Sequence, residues 1–244
     1  MGKVYNLRAS MISRVIGTDA YCSRQNHFEI LVGNKEDKPV NEEYVAHGNE
    51  CEKYGIAQVM ITTGELVRNC GSELLGEQIN TEHPIEAPYL YGMQGYEERK
   101  HSAFKLIPSS FGKDVKINLS CTPDGYIGEE SLVEVKAPYF VQDDFDKYIQ
   151  RYLPQVYFQQ FLTNRKHTYF CIYQMNNSKV FSIPYNKDYV DNFMLPKVIE
   201  FATYLCMSEL DKNFKTKRNS KEDFIYKGKC PYTEITNVKK VANV

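Results

Sequence analysis

Apolar residues between positions 41 and 60 recur at helical spacing. Tyr44, Val45, Cys51, Tyr54, Ala57 and Met60 lie roughly at helical spacing, and Gly64 follows as a stop signal. Shorter apolar runs at residues 66–70, 74–79, 116–121 and 132–136 have the length and β-branched content of strands. Pro123-Asp124-Gly125 reads as a turn, with a short strand around Tyr126 and Ile127 after it. Pro138 closes the 132–136 run. Helical sequence resumes after Asp143 and Asp144, where Pro154 either splits the segment or opens a new helix. Residues 168–175 and 179–183 form a strand pair across Asn176-Asn177-Ser178, and a long amphipathic helix spans 187–210 with a kink at Pro196. Near the start, Ser10 caps a short helix that runs to Ile16 and ends at Gly17. Helices and strands thus alternate, which predicts an α/β fold with a central mixed β-sheet flanked by helices. Residues 1–210 read as one domain, followed over 211–244 by a basic tail or extension.

Composition narrows the function classes. The 244 residues carry 30 Lys and Arg against 31 Asp and Glu, so bulk positive charge is not how this chain would hold a nucleic acid. The balance conceals polarity: residues 41–100 hold eleven acids and four bases, and residues 211–244 hold nine bases and four acids. Each of these also reads simply as a solvated face. Seven cysteines, none within a C-x-x-C spacing, argue against a zinc knuckle and fit a reducing, intracellular setting. There is no apolar run long enough for a transmembrane helix, no signal peptide in residues 1–16, and no phosphate-binding G-x-x-x-x-G-K-[ST] loop.

The chemistry concentrates in Thr122-Pro123-Asp124-Gly125 and Leu132-Val133-Glu134-Val135-Lys136. A strand period of two puts Glu134 and Lys136 on one face and Val133 and Val135 on the other. Charges in an apolar strand are costly unless paired or ligating. Two carboxylates, Asp124 and Glu134, with the Val135 carbonyl offer the oxygen ligands that Mg²⁺ prefers, and Lys136 could orient or help deprotonate a water and offset charge on a phosphorane. That donor set is what phosphodiester hydrolysis needs. The competing reading is a surface salt bridge on an edge strand.

With these residues in view, the chain resembles the lambda exonuclease and YqaJ-like viral recombinase nucleases, a branch of the PD-(D/E)XK superfamily. The signature stands as Pro123-Asp124 followed by Glu134-Val135-Lys136-Ala137-Pro138. Three further blocks agree in order: Ser10 to Ile16, His47-Gly48-Asn49-Glu50-Cys51-Glu52, and Tyr152-Leu153-Pro154-Gln155-Val156. The resemblance implies that Glu52, Asp124 and Glu134, with the Val135 carbonyl, form a metal shell for two Mg²⁺ or Mn²⁺ ions. It makes Lys136 the catalytic lysine, and has Gln155 and Tyr152 position the phosphate or water. Ser10 and Thr122 would meet phosphate. The family's 5′-phosphate arginine falls near Lys3 here, with Arg8 and Arg14 as rivals. His47 stands where the family often has an aromatic.

The implied activity is an ATP-independent DNA exonuclease, 5′ to 3′ on duplex ends, supplying single strands for recombination. A ring-shaped homotrimer, a single-strand annealing partner and an intracellular viral or prophage setting go with it, and no membrane. An endonuclease or RNase on the same core, or an inactive DNA-binding subunit, would be alternatives. The intact Asp124, Glu134 and Lys136 set speaks against the last of these.

Overall fold

The computed structural model describes residues 3–68, 115–216 and 221–236. The strand expected at residues 74–79, and all of the 66–70 run beyond Arg68, lie outside them. Within them, Arg68 forms an isolated bridge to Tyr126.

Five strands make a mixed sheet in the order β3 (Gly125–Ile127), β4 (Ser131–Lys136), β5 (His167–Ile172), β6 (Lys179–Pro184) and β7 (Thr233–Glu234). β4 and β5 run parallel, and the other pairs are antiparallel. The parallel pair needs a crossover, and α4 (Phe145–Thr163) supplies it. A second, two-stranded parallel sheet joins β1 (Val4–Arg8) to β2 (Lys116–Ser120), with Arg8 opposite Ser120. The α/β fold with a central mixed sheet is therefore present, with this side sheet added.

Helices cover both faces of the five-stranded sheet. α3 (Glu42–Thr63) packs through Ile56 and Val59 against Val133, Val135, Cys171 and Val180. Asn41 caps it, accepting the Glu43 amide at 2.9 Å, and Gly64 ends it with a left-handed φ of 72°. On the opposite face α4 meets Phe170, Ile172, Phe181 and Ile183. The larger core then continues to α1 (Ile12–Ile16), α2 (Arg24–Val32) and α5 (Leu195–Leu210).

Two local expectations are corrected and a third is refined. Pro154 neither splits α4 nor starts a new helix. It lies inside one continuous helix capped by Asp144, whose side chain accepts the Lys147 amide at 2.9 Å. An interior proline costs about 3 kcal/mol, and the burial of Tyr148, Ile149, Leu153, Val156, Tyr157 and Phe158 along the same helix offsets it. Residues 187–210 are helical throughout, as expected. Within them a π-helical stretch, Tyr189–Met194, leads into α5, and Pro196 sits in the first turn of α5 directly after it. Ser10 is not a helix cap. It is exposed inside a 3-10 turn, Ala9–Met11, and α1 begins after it without a side-chain cap, although Gly17 does end α1 at φ 84°.

Past residue 210 the chain returns to the core. Phe214, Tyr226, Cys230 and Tyr232 pack against it, and β7 extends the sheet. Among the described residues no helix is long and apolar enough to cross a membrane, and the six described cysteines form no disulfide.

Candidate active site

The site forms where β3 stops and β4 continues. β3 pairs with β4 only up to Gly125 opposite Val133. Pro123, just before, has no N–H to extend a ladder. The Asp124 side chain takes over: its Oδ2 accepts the Val135 amide at 2.7 Å, while the Asp124 amide donates to the Val133 carbonyl at 3.1 Å. The Lys136 carbonyl accepts from Tyr173 on the β5 side at 2.9 Å. Strand carbonyls alternate in direction, so the Val135 carbonyl faces the Asp124 edge.

Glu134 and Lys136 project toward α4, as the period of two requires. Glu134 is 1% exposed and fully engaged. Its Oε1 accepts from Lys136 Nζ and from Gln155 Nε2, each at 2.5 Å, and its Oε2 accepts from Gln159 Nε2 at 2.7 Å. Tyr152 does not touch the carboxylate. Its ring lies 5.2 Å from the Lys136 ammonium and packs on Phe170, with its hydroxyl 3.5 Å from that of Tyr148.

Glu52 arrives from α3, on the other side of the sheet. Three residues further along the same helix face, Gly55 lies against Val135: a Cβ built on it would overlap Val135 Cγ1 and stand 3.3 Å from Val135 Cβ and Cγ2. Only a glycine lets the helix backbone come this near the strand, and that approach carries Glu52 toward the edge. Gly48, the glycine of the sequence motif, has nothing within 4 Å of such a Cβ.

The three carboxylates sense one another. Burial raises Glu52 above its usual range, Glu134 raises it further, and Lys136 opposes. Burial, then Glu134, push Asp124 well above the ordinary aspartate value; Lys136 and the Val135 amide pull down while Glu52 adds to the rise. For Lys136, burial acts to lower the pKa, but Glu134 and Asp124 outweigh it and hold the ammonium above the normal lysine range. The group is a cation at neutral pH.

Two crystal structures of LHK-Exo, an alkaline exonuclease from Laribacter hongkongensis, share this architecture. One aligns with TM-score 0.55 and 20% identity over 85% of this chain and 90% of that one. The other, in complex with dAMP, aligns with TM-score 0.54 and 19% identity over 84% and 90%. The chain has the fold of this alkaline exonuclease. A phage related exonuclease from Haemophilus somnus 129PT aligns at TM-score 0.48 and 10% identity, over 85% of this chain and 96% of that one. No protein-family model matches the chain, and no curated protein matches it significantly.

The fold shared with LHK-Exo gathers Asp124, Glu134, Lys136, Gln155 and Tyr152 of this chain at one edge, with Glu52 in electrostatic reach. Their hard oxygen donors suit Mg²⁺ or Mn²⁺, and a divalent cation would offset both the burial and the repulsion that raise Glu52 and Asp124. As the side chains stand, no three His, Cys, Asp or Glu among the described residues form a cluster able to hold a metal ion. Glu134 gives its oxygens to Lys136 and two amides, so binding would exchange some of these bonds.

The expected phosphate ligands are more dispersed. Arg8 ends β1 beside Ser120, four residues before Asp124, and is exposed. Ser10 follows it. Thr122 is exposed on the approach to Asp124. Lys3 instead pairs with Glu209 at 2.8 Å and Arg14 with Asp37 at 2.9 Å, and neither is among the charges that shift Glu52 or Asp124. His47 packs its ring on Tyr139, 5.4 Å away.

Gly55, Gln159 and Arg151 were not singled out from sequence. A glycine inside an amphipathic helix, three residues from Glu52, signals close packing. Arg151 and Gln159 lie at i−4 and i+4 from Gln155, the spacing of one helix face. Arg151 is exposed and donates to the Tyr21 hydroxyl at 3.2 Å.

Proposed function

We propose that the chain is a divalent-metal-dependent, ATP-independent DNA exonuclease acting 5′ to 3′ on linear duplex ends. The observation that carries this is the buried Glu134 holding Lys136 at 2.5 Å beside Asp124, on a fold similar to that of LHK-Exo. That protein binds dAMP, a mononucleotide of the type an exonuclease releases from DNA.

Glu52, Asp124 and Glu134, with the Val135 carbonyl, would hold Mg²⁺ or Mn²⁺, two ions in all. The metal would supply Lewis acidity and an ionised water. The remaining roles belong to the side chains. Lys136 orients the attacking water or helps to deprotonate it, and offsets charge building on the phosphorane. Gln155 fixes Glu134 from the α4 side. The Tyr152 ring covers the ammonium and keeps it from turning to bulk water. Arg8, Ser10 and Thr122 line the end of the β1–β2 sheet and receive the terminal phosphate. Lys3 and Arg14, spent on Glu209 and Asp37, are weaker candidates for that role.

The same resemblance supports a trimeric ring around the product strand and a single-strand annealing protein as companion. Sedimentation equilibrium would test the ring: a monomer at working concentration would remove it.

The activity is tested by offering end-labelled linear duplex, covalently closed circles and RNA. Mononucleotide release from linear DNA alone is expected. Cutting of closed circles would replace the exonuclease reading with an endonuclease.

A further inference from the structure

Gln159 lies on α4 one turn beyond Gln155 and is fully buried. Its amide nitrogen donates to Glu134 Oε2 at 2.7 Å. The other contacts to the carboxylate, from Lys136 and Gln155, both fall on Oε1. A carboxylate gripped at one oxygen can still swing about its terminal carbon–carbon bond, and the second oxygen sets the plane. We propose that Gln159 is a positioning residue which fixes the plane of Glu134 for metal coordination. This rests on the nuclease reading above and adds a residue to that site.

Gln160, the next residue, shows what a purely structural amide looks like here. It is equally buried, and its nitrogen donates to the Thr168 hydroxyl at 3.0 Å and the Ile183 carbonyl at 2.9 Å. It ties α4 to β5 and β6 and does not touch Glu134. Both glutamines leave their own Oε1 without a hydrogen-bond partner among the described residues. Each is therefore held by what its nitrogen serves, and for Gln159 that is a single carboxylate oxygen.

The full-length chain and two variants, Gln159→Met and Gln160→Met, would be compared. Three quantities are read: melting temperature, its shift on adding Mn²⁺ or Mg²⁺, and nucleotide release from linear duplex across a Mg²⁺ titration. Partners that orient metal ligands are worth about 10–100-fold in metal affinity or activity. Gln159→Met is expected to fold, to need about 10–100-fold more Mg²⁺ for half-maximal rate or lose as much in kcat, and to show a smaller metal-induced melting shift. Its KM for DNA ends should stay within about twofold of the parent. Gln160→Met should melt lower and keep the parent Mg²⁺ requirement. If Gln159→Met keeps the parent kcat, Mg²⁺ half-saturation and melting shift, the proposal is overturned. If Gln159→Met does not fold, Gln159→Asn keeps the amide but withdraws it by one methylene. It should show the same metal defect, and parent-like behaviour overturns the proposal. Loss of fold in both variants assigns Gln159 to structure alone and also overturns it. A parent protein with neither metal-dependent turnover nor a metal-induced shift defeats the nuclease reading itself, whatever the variants do.

Discussion

Gly55→Ala tests how the second acid reaches the site. The added methyl would sit inside the van der Waals shell of Val135, overlapping Cγ1, with Cβ and Cγ2 at 3.3 Å. Val135 is 6% exposed and belongs to the sheet core, so it has little room to yield. α3 must then lift from β4 by on the order of 1 Å, and Glu52, three residues away on the same face, moves with it. Overpacking of this kind costs about 1–3 kcal/mol, while replacing a mid-helix glycine by alanine returns about 1 kcal/mol. The net loss of stability should be about 0–2 kcal/mol, leaving the protein folded. Displacing a catalytic group by about 1 Å is worth about 100-fold in rate. Gly48→Ala is the matched control: it makes the same substitution in the same helix, meets nothing within 4 Å, and should stabilise by about 1 kcal/mol with activity unchanged. The assay is kcat on linear duplex together with thermal melting of both variants. Gly55→Ala with parent turnover would refute the account of how Glu52 is delivered. So would Gly48→Ala with a comparable loss.

Glu134→Ala strands the donors of Lys136, Gln155 and Gln159, so it should cost about 3–5 kcal/mol of stability besides turnover. Glu134→Gln should abolish turnover with a smaller loss by denaturant melting, and equal losses would argue against the network. The pKa of Asp124 is raised by burial and by Glu134. Its native state therefore favours the proton, and the metal-free protein should lose stability as pH rises from the ordinary aspartate range through the raised value. Asp124→Asn removes that pH-dependent loss, raises the metal-free melting temperature at neutral pH and eliminates turnover; a lower melting temperature would contradict the assignment. In the metal-free protein Asp124 and Glu52 are both raised, so protons should compete with Mg²⁺, and the Mg²⁺ concentration for half-maximal rate should rise as pH falls toward the ordinary carboxylate range. Arg8→Ala should weaken DNA-end binding and reduce the salt slope by about one, whereas Arg14→Ala and Lys3→Ala should leave it unchanged. Equal effects at all three would place the phosphate site elsewhere.

Much of the site was legible because its logic is local. Alternation along β4 separates Val133 and Val135 from Glu134 and Lys136, and the structure packs the valines under α3 and turns the charged pair to α4. The helix expected over 41–60, with Gly64 as its stop, corresponds to α3, but the face it buries is that of Ile56 and Val59, while Tyr44, Val45 and Tyr54 of the expected apolar set are exposed. What escaped depends on pairing between distant parts of the chain. β1 and β2 align residues more than one hundred positions apart, and no periodicity announces that. Pro154 follows the breaker rule in isolation, but the buried faces of α4 override it. Gly48 and Gly55 are indistinguishable by composition, and only the strand beneath tells them apart. Gln159 looks like any polar residue in an aromatic helix until Glu134 is placed under it.

The central claim is that Asp124, Glu134 and Lys136 form the working centre of a metal-dependent exonuclease. The most direct measurement follows mononucleotide release from linear duplex with 5′-phosphate or 5′-hydroxyl ends, with and without Mg²⁺, for the parent and for Lys136→Ala. The account predicts Mg²⁺-dependent release from the 5′-phosphate end by the parent and none by Lys136→Ala, with both proteins folded. Release that persists without divalent metal, or in Lys136→Ala, would contradict it.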